Sequence, residues 1–316
     1  MTKIVFMGTP DFAVPTLQAL IDHHYDVCAV VTQPDKAVGR GKILTPPPVK
    51  VCAQKYNIPI YQPAKLKTEE MYNILSDLRP DLFIVIAYGK ILRKNFLEIP
   101  RFGCLNLHAS LLPKYRGAAP IQWAIINGEK ETGVCLMKMD EGMDTGPVYA
   151  REIIPIENDE TAETLHDKLS ALSADILIKH LPDILNNTIQ PIPQEGEHTT
   201  APTLYKSLGA ISFHQNVETL DALIRGVTPW PSAFVSFRGK RISILKASIA
   251  DTSAEHTSPG NILNYDPVKK ALLVACSKGT LAIHSLKPEG KSAMDAQSFV
   301  NGYKPAAGDK FDMISN

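Results

Sequence analysis

Residues 103–113 read Gly-Cys-Leu-Asn-Leu-His-Ala-Ser-Leu-Leu-Pro, and they set Asn106 and His108 two positions apart at the end of an apolar run. On a β-strand that spacing turns both side chains to one face. Polar groups on a covered strand are costly unless they are paired or used, so two of them together need a reason. A second stretch, Met-Asp-Glu-Gly-Met-Asp-Thr-Gly at 139–146, carries Asp140 and Asp144 on either side of Gly142. The glycine lets the backbone turn sharply, and either carboxylate can orient His108 or favour its charged form. An amide, an imidazole and a carboxylate, with no activated Ser or Cys, suit acyl transfer directly to an incoming amine. The amine is its own nucleophile once deprotonated. Its attack on a carbonyl carbon creates an oxyanion that Asn106 and a protonated His108 can stabilise, while the carboxylate takes the amine proton through a water. The same residue types also fit a structural Asn–His pair, and spacing alone leaves Asp140 and Asp144 both open as the acid.

These groups need a rigid platform, and the flanking pattern supplies one. Apolar runs at 3–7, 27–31, 81–87, 104–108 and 134–139 predict strands, and 12–23, 49–56, 68–78 and 120–127 predict helices between them. Strands apolar on both faces and separated by helices form a mostly parallel sheet covered on both sides, a doubly wound, Rossmann-like α/β fold. Such sheets bind ligands at the carboxyl ends of their strands, where 106–108 and 139–146 fall. Gly8 follows the first strand in Gly-Thr-Pro-Asp-Phe-Ala. The second and third glycines of a dinucleotide fingerprint are missing, so Gly8 marks a tight turn and nicotinamide chemistry is not expected. A long helix is predicted over 161–185, with a possible break before Pro182. After the unpatterned, Pro-, Thr- and Gln-rich stretch 186–202 come a helix at 217–227 and short strands at 233–237, 241–247, 271–275 and 280–285. That spacing predicts a smaller OB-like β-barrel. The expected domains are 1–188, a linker at 189–208, and 209–316.

Composition bounds the rest. The chain has 316 residues, enough for two domains at about 150 residues each. Its 33 basic and 33 acidic residues cancel, so any nucleic-acid contact must come from a local patch. No apolar run approaches a membrane span, and the N-terminus has no secretory pattern. The cysteines, Cys28, Cys52, Cys104, Cys135 and Cys276, are odd in number, widely spaced and mostly set in apolar runs. They read as reduced core residues of a cytoplasmic protein, with no metal site.

The run Asn-x-His-x-Ser-Leu-Leu-Pro at 106–113, Tyr-Arg-Gly at 115–117 and the acidic loop at 140–146 resemble the folate-dependent formyltransferase family. The resemblance implies 10-formyltetrahydrofolate as co-substrate and Asn106, His108 and Asp144 as the catalytic trio. Asp140 then becomes a loop residue. It also implies folate binding along Ser110, Leu111, Leu112 and Pro113, along Ala87, Tyr88, Gly89, Ile91 and Leu92, and near Glu141 and Gly142. Within the family, Gly-Ala-Ala-Pro-Ile at 117–121 and the additional C-terminal β-rich domain are similar to the branch that formylates methionine on initiator tRNA for translation initiation. In that branch the loop at 34–50 enters the acceptor stem. Here it carries Lys36, Arg40, Lys42 and Lys50 against Asp35, a local excess of about three positive charges. Opening a weak terminal base pair costs less than opening a sound one, which can select the tRNA. The resemblance implies tRNA contacts at Arg40, Lys42 and Lys206 and a basic track on the barrel from Arg238, Lys240, Arg241, Lys246 and Lys287; a monomer is expected, although the sequence itself does not give the oligomeric state. Trp230, between two prolines, reads as a packing anchor. The segment 203–213 departs from the family pattern, with Ser212 and Phe213 where Asp and Trp are usual.

Overall fold

The computed structural model describes residues 2–39, 41–306 and 308–314. They form two compact units: Met1–Pro120 with Glu131–Pro155 and His166–Ala201, and Ile121–Lys130 with Ile156–Leu165 and Pro202–Asn316.

The first unit is built on a seven-stranded sheet. Strands β1 (Lys3–Gly8), β2 (Asp26–Val31), β3 (Ile60–Tyr61), β4 (Leu82–Ile86) and β5 (Cys104–His108) are parallel, in the order β3-β2-β1-β4-β5. Then β6 (Glu131–Lys138) runs antiparallel beside β5, and β7 (Val148–Pro155) runs antiparallel to β6. Between the parallel strands lie α1 (Val14–Asp22), α2 (Pro48–Lys55) and α3 (Glu69–Asp77), whose start is capped by the Thr68 side chain accepting from Met71 N, and a single helical turn at Lys94–Leu97. Consecutive buried apolar residues in β1, β4 and β5 are what a sheet covered on both faces requires. A Cβ on Gly8 would meet Ala13 Cβ at 2.8 Å and the Ile86 carbonyl at 3.0 Å. The glycine therefore serves close packing of turn against sheet, as the tight-turn reading required.

On one face of this sheet Val5, Met7, Phe83, Val85 and Cys104 pack with Met71 and Leu75 of α3. Period two carries that face along β5 from Cys104 to Asn106 and His108. The sheet order reverses between β1 and β4, so β4 and β5 end beside the crevice typical of such folds.

Four features depart from the sequence reading. Strand β7 was not expected, because Arg151 and Glu152 interrupt its apolar pattern; it is an edge strand whose exposure alternates. The loop at 34–50 contains an exposed hairpin, Lys36–Val38 paired with Ile43–Thr45. Helix α4 (Pro120–Ile126) matches expectation, whereas α5 (Ala162–Leu185) continues through Pro182 without a break. Only the last turn follows that proline, so few helical bonds are at stake. Lastly, residues 189–201, read as linker, hydrogen-bond within the first unit, with Thr200–Ala201 paired to Arg116–Gly117.

The second unit holds helix α6 (Val217–Gly226), capped by Asn216, and a curled antiparallel sheet. Its strands are β8 (Ala233–Phe237), β9 (Lys240–Glu255), β10 (Ile262–Asp266), β11 (Ala271–Ala275), β12 (Lys278–Pro288), β13 (Met294–Asp295) and, after helix α7 (Ala296–Tyr303), β14 (Phe311–Asp312). The order is β10-β11-β12-β9-β8-β14, with β13 on β12. The two ends of the sheet meet where Ile262 N donates to Asp309 O (2.7 Å) and Phe311 N to Gly260 O (2.9 Å). Phe237, Phe299 and Phe311 pack edge-on and tilted in the barrel interior. Strand β9 is more than twice its expected length, because register shifts against β12 let a polar sequence stay paired.

Candidate active site

Strand β5 delivers Asn106 and His108 to the end of the sheet. Asn106 is flanked by Val85 of β4 and Met137 of β6, and His108 pairs with Cys135. His108 is only 6% exposed. Its Nε2 donates to the Tyr115 carbonyl (2.9 Å), and its Nδ1 stands 3.7 Å from Asp144 Oδ2. Both ring nitrogens thus face oxygen acceptors, an arrangement that the doubly protonated ring satisfies. The 3.7 Å gap is an ion-pair distance, too long for a direct hydrogen bond, and one bridging N–H or O–H group fits it. Asn106 is half-buried, and its amide makes no hydrogen bond among the described residues. It therefore does not pair with His108, and the structural Asn–His alternative is not what the chain adopts.

The acidic loop is shaped by its neighbours. A Cβ on Gly146 would fall 1.8 Å from the Lys138 carbonyl, so only glycine lets the loop lie this close to the end of β6. Asp140 Oδ1 accepts from Gly142 N (3.0 Å) and Thr145 Oγ1 (2.6 Å), closing the loop on itself. Asp144 adopts the left-handed region (φ 54°), and its Oδ2 accepts from Gly117 N (2.9 Å). Spacing left two carboxylates open; of the two, Asp144 is the one at His108.

The segments expected to hold folate sit around this point. The loop after β4 leaves the sheet next to Asn106, turning through positive φ at Ala87 and Gly89. Ala87, Gly89 and Ile91 are exposed, whereas the side chains of Tyr88 and Leu92 are buried in the core. Burial pushes the Tyr88 hydroxyl up to about 12, and its carbonyl accepts from Gln33 Nε2 (3.0 Å). After β5, Ser110 is buried and donates to Lys114 O (2.7 Å), Leu112 N donates to Cys135 Sγ (3.4 Å), and Leu111 and Pro113 are half-buried. Glu141 and Gly142 are exposed at the loop tip. Three further residues shape the site: Arg116, from the Tyr-Arg-Gly run, and Gln194 and Thr199, which the sequence did not signal. Gln194 Nε2 donates to both Asp144 O and Gly146 O (2.8 Å each), and Thr199 Oγ1 accepts from Tyr115 N (2.9 Å).

Of the residues expected to touch tRNA, Arg40 lies outside the described residues. Lys42 is exposed in the hairpin turn at positive φ, beside Ile43 and Leu44, which are 71% and 67% exposed. In the second unit Lys206 lines a cleft of about 830 Å³ with Trp230, Phe234, Arg241, Glu289 and Asp312. Trp230 is 52% exposed, which corrects its reading as a packing anchor. The Arg241 guanidinium lies 3.6 Å over the Phe234 ring. Arg238 instead binds Asp309 (2.6 Å) and the Tyr303 carbonyl (3.0 Å) within the barrel. Phe213, at the atypical position, is a buried core residue stacked near Phe311.

Residues 2–181 match the family described as Formyl transferase, and 203–304 match the one described as Formyl transferase, C-terminal domain. The methionyl-tRNA formyltransferase of Acetivibrio thermocellus is 46% identical over 308 residues, 97% of this chain and 98% of that protein. That of Macrococcus caseolyticus is 46% identical over 305 residues, 96% of each. Among solved structures, an N-formyltransferase from Helicobacter canadensis in complex with folinic acid and dTDP-3-aminofucose superposes with a TM-score of 0.68. It is 21% identical and covers 90% of this chain and 99% of that one. The methionyl-tRNA formyltransferase from Clostridium thermocellum has a TM-score of 0.54 at 19% identity, covering 79% and 94%. At these identities the structures share the fold.

Proposed function

The chain belongs to the formyl transferase family, and on that premise we propose that it moves a formyl group from 10-formyltetrahydrofolate to the amino group of methionine on initiator tRNA, in the cytoplasm. The observation that carries the reading is the buried imidazole of His108, set between the Tyr115 carbonyl and the Asp144 carboxylate, two strand positions from a half-buried Asn106 whose amide has no hydrogen-bond partner among the described residues. This is a donor pair with an acid behind it, at the mouth of a sheet.

The residues present fit a folate. Ala87 and Gly89 offer backbone groups, and Ile91 offers an exposed apolar surface, on the loop that follows Val85, the strand neighbour of Asn106. A flat ring system suits a slot of apolar surface with a few backbone donors and acceptors. Tyr88, Leu92, Ser110 and Leu112 would shape the slot from within, while Leu111, Pro113, Glu141 and Gly142 would border it. Bound there, the folate supplies an electrophilic formyl carbon. Asn106 donates its amide N–H to the formyl oxygen as negative charge develops on it, and His108, charged and fixed through Nε2, presents the second donor. Asp144 would balance the charge on His108 and accept the amine proton through a bridging water; as the oxyanion collapses, the bond between the formyl carbon and the folate nitrogen would break, and the proton would return through the same water to that leaving nitrogen.

The acceptor assignment rests on the hairpin and the barrel cleft. Cationic Lys36 and Lys42 beside exposed Val38, Ile43 and Leu44 form a projection that meets phosphates with charge and an opened base pair with apolar surface. In the barrel cleft Lys206 and Arg241 supply charge, and Trp230 supplies a flat face for RNA.

The test is formyl transfer from labelled 10-formyltetrahydrofolate to three acceptors: charged initiator methionyl-tRNA, glycinamide ribonucleotide and a nucleotide-linked amino sugar. Only the first should be formylated at a useful rate. Transfer to either small amine with none to the tRNA overturns the reading.

A further inference from the structure

The stretch after α5 that the sequence offers as linker is a strap across the active-site loops. Val148 and Ile192 exchange backbone hydrogen bonds (2.8 and 2.9 Å) at one end. At the other end Arg116 N donates to Thr199 O and Ala118 N to Ala201 O (2.9 Å each). Between these anchors Gln194 turns inward. Its Nε2 donates to the carbonyls of Asp144 and Gly146, and its Oε1 accepts from Arg116 Nε (3.2 Å) and Nη2 (2.8 Å).

We propose that Gln194 is a positioning residue for the transfer reaction, holding the Asp144 carboxylate at His108 by clamping the 139–146 loop to the 113–118 loop. The proposal rests on the transferase reading above. Each clamped loop touches the imidazole: Tyr115 supplies the carbonyl that His108 Nε2 binds, Gly117 supplies the N–H that holds Asp144 Oδ2, and Arg116 lies between them. Asp144 sits at φ 54°, a region unfavourable for residues with a Cβ, so its backbone needs an external restraint. Two backbone carbonyls and one guanidinium also dictate the restraining side chain. It must present two N–H donors and an oxygen acceptor on one planar head at the end of a two-carbon stem, and glutamine does so. Glutamate keeps the Arg116 contact but turns an acceptor toward two acceptors.

The test is a double-mutant cycle on the formylation rate. Gln194→Ala should lower kcat by about 10- to 100-fold, the scale of a misplacement of about 1 Å, with the KM of both substrates and the melting temperature nearly unchanged. Gln194→Glu should lose at least as much although it retains Arg116. Arg116→Met, which leaves Gln194 in place but frees its oxygen, should show a smaller loss of the same kind and guards against a misfolded Gln194→Ala. In an Asp144→Asn background, Gln194→Ala should cost nothing further, because the clamp acts only through that carboxylate. An unchanged kcat in Gln194→Ala, or a loss that multiplies fully with Asp144→Asn, overturns the proposal. If the wild type formylates a small amine instead of tRNA, the substrate reading fails alone, and the same cycle run on that amine decides the clamp.

Discussion

Replacing Asp144 by Asn keeps an oxygen that can accept from Gly117 N and removes the charge 3.7 Å from His108 Nδ1. Two unit charges about 4 Å apart interact by about 4 kcal/mol at an effective dielectric near 20, and by about 1 kcal/mol in water. The side chains are 7% and 18% exposed, which puts the pair between these limits and closer to the first. If about 2–3 kcal/mol of this acts when His108 must be cationic, kcat falls by about 30- to 160-fold at about 1.36 kcal/mol per factor of ten. The KM for folate and for tRNA should stay within about twofold, because an interaction felt mainly in the transition state lowers kcat and kcat/KM together. Steady-state formylation at saturating co-substrate reads both constants. Asp140→Asn is the internal control: its oxygen serves Gly142 N and Thr145 Oγ1, which an amide oxygen also satisfies, so its kcat should barely move. A kcat for Asp144→Asn within about threefold of wild type, or a larger loss in Asp140→Asn, would refute the assignment of the acid.

Gly146→Ala forces a Cβ into the Lys138 carbonyl and should cost about 1–3 kcal/mol in urea unfolding as well as activity; a wild-type midpoint would show that the loop yields. Ile43→Ser with Leu44→Ser changes only exposed side chains, so the melting temperature should hold while the KM for tRNA rises about tenfold, roughly 1.4 kcal/mol. An equal rise in the KM for folate would deny the hairpin a role specific to tRNA. Trp230→Ala should weaken tRNA binding by at least about 1 kcal/mol, the low end of base–aromatic stacking, and unchanged binding in a filter assay would leave the cleft without that partner.

The architecture was legible where period and composition act locally. Strands β4, β5, β8 and β11 and helices α1 to α3 fall within a few residues of expectation, because consecutive apolar residues or a 3.6-residue stripe have one economical burial. Strand β7 escaped because an edge strand needs only half its residues apolar, and β9 was underestimated because pairing with β12 supports a polar sequence. The exposed Trp230 misled for a related reason: a large aromatic usually signals burial, and only the surrounding cleft shows otherwise.

By itself the sequence determined that Asn106 and His108 share a face at a strand end, that an acidic loop turns on glycines after the next strand, and that a β-rich unit follows. These are consequences of spacing along a chain with fixed geometry. The tertiary structure alone decided which carboxylate reaches the imidazole, that the Tyr115 carbonyl orients it, and that Gln194 bonds to Arg116 across 78 residues. Those bonds join loops that carry no periodicity, and their partners come together only after the sheet has fixed where each loop begins and ends.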